Sequence, residues 1–329
     1  MSQKVMIADL EAKIGASVAL FIGMGSFETR CLTILNVLAR KTSNFLFFKN
    51  RQAGESANES LQKMMEIAGE KAISIDLDLD KPTVSADAFQ ASLTHITNAS
   101  EGIVFVDITT FTHEQLLIFL RVLSEAKIDR RFIFGYTGAE QYSVNTDPED
   151  VWLSKGISQI RSVLGFPGEF LPSKKLHLIV LVGFEHERAK AVIEQFEPAF
   201  LTLGIAENTQ SVSAAHYATN QKFFDEVKRF VDVRTSIYSS IDTFQFSGVD
   251  PILTREAVLA QTAKLPSCNT VVCPMNTKIS TLGVGLAAIQ DRGIQICYSR
   301  AIAYNESGYS TPSQQVTLFE MNFVKSVAG

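Results

Sequence analysis

Thr270-Val-Val-Cys-Pro-Met275, Asn276-Thr277-Lys278, Ile279 to Gln290 and Ile294-Gln-Ile-Cys-Tyr298 follow one another within the stretch Cys268 to Ser310. They read as strand, polar turn, helix and strand, with an aromatic loop after them. A near copy lies in the first half. There Ile103-Val-Phe-Val-Asp107 leads to Ile108-Thr109-Thr110, a helix through Glu114 to Ser124, the strand Arg131-Phe-Ile-Phe-Gly-Tyr136 and a loop holding Tyr142-Ser143. Tyr298-Ser299 and Tyr309-Ser310 stand at the matching places of the later copy. The chain therefore reads as a duplicated α/β unit whose paired strand ends form the working surface.

The flanking sequence extends both copies. Ser17 to Gly23 and Leu176 to Val182 are continuous apolar runs, the pattern of parallel strands buried on both faces. Each run leads into a glycine turn with an arginine five residues on, Gly25 to Arg30 and Gly183 to Arg188. Further strands are expected at 45–49, 72–79, 243–247 and 316–320, the last of them matched by 151–153. Helices are expected at 59–68, 86–98, 221–231 and 255–264, with Asn58 and Asn220 opening two of them, and residues 1–14 read as a leading helix. Such regular alternation favours a mostly parallel sheet with helices on both faces. The expected architecture is two pseudo-repeated Rossmann-like units, residues 1–150 and 175–329, joined by a linker at 151–174 that is rich in proline and glycine.

Composition narrows the function. At 329 residues, with 46% hydrophobic and 20% charged side chains, the chain is long enough for two units with their own cores. A net charge of −5, with Lys and Arg spread along the chain, lacks the footprint of an extended nucleic-acid surface. The apolar runs are shorter than the ~20 residues of a membrane-spanning helix, and Met1 to Ile14 lacks a signal-peptide pattern, so a cytoplasmic protein is expected. The four cysteines, Cys31, Cys268, Cys273 and Cys297, form no CxxC pair and read as buried thiols. Neither a metal nor a cofactor is called for.

In an open α/β sheet, ligands bind beyond the C-terminal strand ends where strand order reverses, commonly between the first strand and the fourth. The polar segments of this chain fall after those strands. In the first half they supply Gly25, Ser26, Glu28 and Arg30, then Asp107, Thr109 and Thr110. The second half supplies Gly183, Glu185, His186 and Arg188, then Asn276, Thr277 and Lys278, with Tyr298 after the fifth strand. A glycine turn at a helix N-terminus with an arginine nearby suits an anion such as phosphate. Alternatives stand beside that reading: Arg30 and Arg188 pair with Glu28 or Glu187, Asn276 or Thr277 caps a helix, and Asp107 caps the helix that follows it. Neither half has a Walker A sequence, and the dinucleotide fingerprint is incomplete at Glu28.

The strand followed by Asn276-Thr277-Lys278, a helix and another strand resembles the CARF group of Rossmann-like sensor domains in prokaryotic defence systems. The resemblance implies a domain that binds cyclic oligonucleotides, with Thr277, Lys278 and the segment Gly183 to Arg188 facing the ligand phosphates. Gly25 to Arg30 and Thr109-Thr110 are then the first-half counterparts. The leading expectation is a sensor or accessory subunit binding a nucleotide or other phosphorylated molecule in a cleft between the halves, with a protein partner or a second copy of the chain. One alternative is a hydrolase or a glycosyl or phosphoryl transferase using Glu28, Glu185, His186 or Asp107. The other is a structural interaction subunit. On the leading expectation, Lys278→Ala and Arg188→Ala weaken an anionic ligand and spare the fold.

Overall fold

The computed structural model describes residues 2–142, 154–306 and 310–324. In chain order the strands are β1 Gln3–Met6, β2 Val18–Met24, β3 Thr42–Asn50, β4 Ala72–Leu77, β5 Ile103–Asp107 and β6 Phe132–Tyr142. They continue as β7 Ser154–Pro167, β8 Leu176–Leu181, β9 Phe200–Ala206, β10 Ser240–Phe246, β11 Asn269–Pro274, β12 Ile294–Tyr304 and β13 Ser310–Met321. The α-helices are α1 Leu10–Ile14, α2 Thr33–Leu38, α3 Glu55–Ala68, α4 Pro82–Thr97, α5 His113–Ala126, α6 His186–Phe196, α7 Ala214–Asp232, α8 Pro251–Thr262 and α9 Lys278–Gln290.

Two compact units result, each a mostly parallel sheet flanked by helices, so the Rossmann-like duplication read from the sequence is the fold. One sheet has the order β1-β13-β6-β5-β2-β3-β4 and the other β10-β9-β8-β11-β12-β7. Numbering the parallel strands of each unit by appearance, both run 3-2-1-4-5, with the reversal between β2 and β5 in one unit and between β8 and β11 in the other. The acidic strand β4 lies at a sheet edge, which explains its alternating pattern.

Apolar periodicity builds the layers. In the first unit Phe21, Phe45, Phe47 and Phe105 turn to one face, with Ile34, Leu35 and Leu38 of α2 and Leu61 and Met64 of α3. On the other face Phe48 meets Phe89 of α4 and Phe119 of α5, with ring centroids 4.9 and 5.8 Å apart. In the second unit, side chains of β8, β9 and β11 pack on Val192 and Ile193 of α6 and on Phe224 and Val227 of α7. A fully buried Leu or Phe contributes about 1.5–3 kcal/mol, so these faces dominate the stability of each unit.

The expected boundaries are corrected by strand pairing. The first unit comprises Met1–Val144 and Glu306–Gly329, and the second Asn145–Asn305. The segment 151–174 holds β7, which pairs antiparallel with β12 and is no linker. β13 returns to pair antiparallel with β6 and β1. In a plain tandem repeat β7 would follow β6 and β13 would follow β12 within the same sheet; here each sheet is completed by the strand that follows the other. The second unit is thus continuous in sequence and inserted between β6 and β13.

Several local expectations are also revised. The leading helix is confined to a 3-10 turn at Ile7–Asp9 followed by α1, because residues Gln3–Met6 gain a ladder with β13. Asn58 and Asn220 lie inside α3 and α7 and open neither helix. The expected strand at 151–153, together with Ser143 and Tyr309, falls outside the described residues. No helix among the described residues is long and apolar enough to cross a membrane.

Candidate functional site

The loops after the first and fourth parallel strands meet at each strand-order reversal, as the sequence implied. In the second unit Asn276 Nδ2 donates to the Val182 carbonyl oxygen at 2.8 Å and to Asn220 Oδ1 at 3.1 Å. Asn220 Nδ2 in turn donates to the carbonyls of Val182 and Gly183 at 3.0 and 3.2 Å. A Cβ on Gly183 would overlap the Met275 carbonyl oxygen, so only glycine lets these two backbones pass. Asn220 was missed as a site residue. It is fully buried midway along α7, and no local pattern announces an asparagine whose partners lie 37 and 38 residues away.

Thr277 is the N-cap of α9. Its hydroxyl accepts from the Ser280 amide at 3.1 Å and donates to the Gly248 carbonyl at 2.7 Å. Lys278 is the first residue of that 13-residue helix and is half-buried. The first-unit counterparts differ from those expected. Thr112 caps α5 by accepting from the Gln115 amide at 3.1 Å, so Thr112 and His113 occupy the places of Thr277 and Lys278. Thr109 and Thr110 are structural instead. Thr109 Oγ1 donates to Asp107 Oδ1 at 2.5 Å and accepts from the Thr137 amide at 3.0 Å, and Thr110 Oγ1 donates to the Met24 carbonyl at 2.6 Å.

The two arginines turn inward. Arg30 Nε donates to Glu28 Oε2 at 2.8 Å, and Arg30 Nη1 donates to the Thr137 carbonyl at 3.0 Å. Arg188 pairs with Glu185 through Nη1 and donates to the Ser299 carbonyl through Nη2. Both guanidinium groups are more than nine-tenths buried. Each is held between an acid of its own loop and a carbonyl just beyond the fifth strand's tyrosine, Tyr136 or Tyr298. The sequence expected Glu187 as an alternative partner for Arg188, but Glu187 is exposed and pairs with Lys190 and His186. Arg30 and Arg188 therefore do not line an open anion site.

The remaining candidates have definite surroundings. Ser26 Oγ accepts from the Glu28 amide at 3.3 Å, and the Gly25 amide donates to the Phe48 carbonyl at 2.9 Å. His186 begins α6 and stacks on Phe223 with centroids 5.3 Å apart; burial pulls its pKa below the usual histidine value. Tyr298 is buried, with the Arg188 guanidinium 5.8 Å from its ring centre.

Asp107 ends β5 in a buried position beneath Arg30. Burial pushes its pKa up to about 7, against the hydrogen bonds from Thr109 and the charge of Arg30. Cys273 holds the corresponding place near Arg188 in the second unit. Among the described residues no group of three His, Cys, Asp or Glu side chains is arranged to hold a metal ion.

Fold and strand-end geometry together define a duplicated Rossmann-like α/β protein with polar loops at two strand-order reversals. No family model and no curated protein matches the chain. Among solved structures it is similar to a functionally unknown protein, PA1789, from Pseudomonas aeruginosa PAO1, at 9% identity and a TM-score of 0.22, over 85% of this chain and 92% of that one. It is also similar to the cytoplasmic domain of a prokaryotic cation chloride cotransporter, at 10% identity and a TM-score of 0.25, over 88% of this chain and 99% of that one.

Proposed function

We propose that the chain binds a phosphorylated small molecule of the nucleotide class at the C-terminal strand ends of its second unit. On this reading it is a sensor or accessory subunit, and the resemblance of Asn276-Thr277-Lys278 to the CARF motif extends the proposal to prokaryotic defence. The observation that carries it is the placement of Lys278. A lysine begins a 13-residue helix at the reversal between β8 and β11, where Asn276, Asn220 and Thr277 fix the course of the backbone. Helix amides and dipole stabilise an anion by about 0.3–1 kcal/mol, and the ammonium group adds to that.

Titration calorimetry with ATP and with inorganic phosphate tests the reading. Lys278→Ala is expected to weaken ATP at least tenfold, about 1.4 kcal/mol, with the melting temperature of the empty protein preserved. Equal affinity in the variant and the parent protein would remove Lys278 from the site.

Turnover is a second reading, favoured by one observation: the Asp107 pKa near neutrality is the range of a general acid or base. Its carboxyl group is enclosed and bonded to Thr109, so this reading requires the first-unit loops to open. Incubation with a nucleotide panel separates the readings, since product formation abolished in Asp107→Asn would favour an enzyme.

A further inference from the structure

The buried Glu–Arg pairs have a third member in both units, and in both it comes from the antiparallel strand that completes the sheet. Ser310, the first residue of β13, donates its hydroxyl to Glu28 Oε2 at 3.0 Å. Ser154, the first residue of β7, donates its hydroxyl to Glu185 Oε1. Each glutamate thus joins the glycine loop, the arginine and the incoming strand, while the arginine reaches on to the carbonyl of Thr137 or Ser299. The same residue types are joined twice, although the spacings and atoms differ: Glu28 is two residues before its arginine and takes both donors on Oε2, whereas Glu185 is three before and takes Ser154 on Oε1 and Arg188 on Oε2.

We propose that Ser154 and Ser310 are positioning residues that fasten β7 and β13 onto the glycine loops, so that the conformation each loop offers a ligand is set by the antiparallel strand that completes its own sheet. A charge-assisted hydrogen bond to a carboxylate that is mostly shielded from water holds its donor more firmly than a neutral surface contact. The fastening also sits in a polar nest with capacity left over. The hydroxyls of Thr137 and Ser299, whose carbonyls accept the arginines, are both buried without a partner, as is Arg188 Nε.

The part of this inference that concerns ligand affinity rests on the function proposed above. The fastening itself does not. The test is hydrogen exchange on the full chain, comparing the parent with Ser154→Ala, Ser154→Thr and Ser310→Ala, together with ATP titration of the same proteins. Ser154→Ala is expected to speed amide exchange at 183–188 and 154–157 at least tenfold, leaving 26–31 unchanged. Ser310→Ala is expected to do the reverse, and Ser154→Thr to restore slow exchange because threonine keeps the hydroxyl. Parent-like exchange at 183–188 in Ser154→Ala, or failure of the threonine to restore protection, overturns the inference. If the fastening holds and Lys278 binds ATP, Ser154→Ala also weakens ATP at least threefold and Ser154→Thr recovers it. Failure of Lys278→Ala to affect ATP would overturn the functional reading alone, since the exchange result decides the fastening by itself.

Discussion

Ser310 Oγ lies 3.0 Å from Glu28 Oε2, joining two residues 282 positions apart. Glu28 also accepts from Arg30, and that guanidinium is bonded onward to Thr137, so one carboxylate ties the first-strand loop, the middle of β6 and the start of β13. The second unit repeats the device with Ser154, Glu185, Arg188 and Ser299. The charged groups that most resembled a phosphate clamp are thereby committed to architecture.

Arg188→Ala, expected from the sequence to spare the fold, should instead destabilise it. Removing one partner of a buried pair leaves the other charge uncompensated, at a cost of about 3–5 kcal/mol. Urea denaturation followed by circular dichroism measures this. A loss under about 1 kcal/mol would show that Glu185 is solvated in solution.

Asp107 gives stability a definite pH dependence. Its folded pKa of about 7 lies above the unfolded value, so the native state binds more protons between pH 4 and 7 and stability falls as pH rises through that window. The full effect is on the order of 4 kcal/mol. Asp107→Asn keeps an acceptor for Thr109 and cannot ionise. It is expected to match the parent at pH 4 and to melt at a higher temperature at pH 8, as calorimetry at the two pH values would record. A variant that melts lower at both would contradict the raised pKa.

Gly183→Ala should cost at least about 2 kcal/mol, because its methyl group meets backbone at Met275 with no side chain to move aside. Gly69→Ala differs, with no atom within 4 Å of its Cβ and only a left-handed φ of 64° against it. Denaturation midpoints are expected to rank the two, with Gly183→Ala the lower.

The inserted arrangement predicts which fragments fold. Residues 154–306 contain every strand of the second sheet and are expected to be soluble and cooperative when expressed alone. Residues 1–144 lack β13, leaving β1 without its ladder and an edge of β6 unpaired, and are expected to aggregate. Because Tyr142 and Ser310 are register partners, a two-residue Asn-Gly turn joining them should restore a soluble first unit. Size-exclusion chromatography of the three fragments checks each outcome.

By itself the sequence determined the strand and helix alternation, the duplication and the placement of polar loops after the first and fourth strands. Those features are local: apolar runs fix buried strands, and Thr277 and Lys278 advertise a helix start within three residues. Tertiary structure alone decided the rest. The partners of β7 and β13 depend on long-range ladders that periodicity cannot encode, and the antiparallel pairing turned an apparent linker into part of a sheet. The sequence put an arginine five residues after each glycine, but whether it faced a crevice or the backbone midway along the fifth strand depended on where Thr137 and Ser299 lie in space. Asn220 stayed hidden for the same reason. A buried polar side chain is explained by the groups that satisfy it, and here those groups come together only when the chain folds.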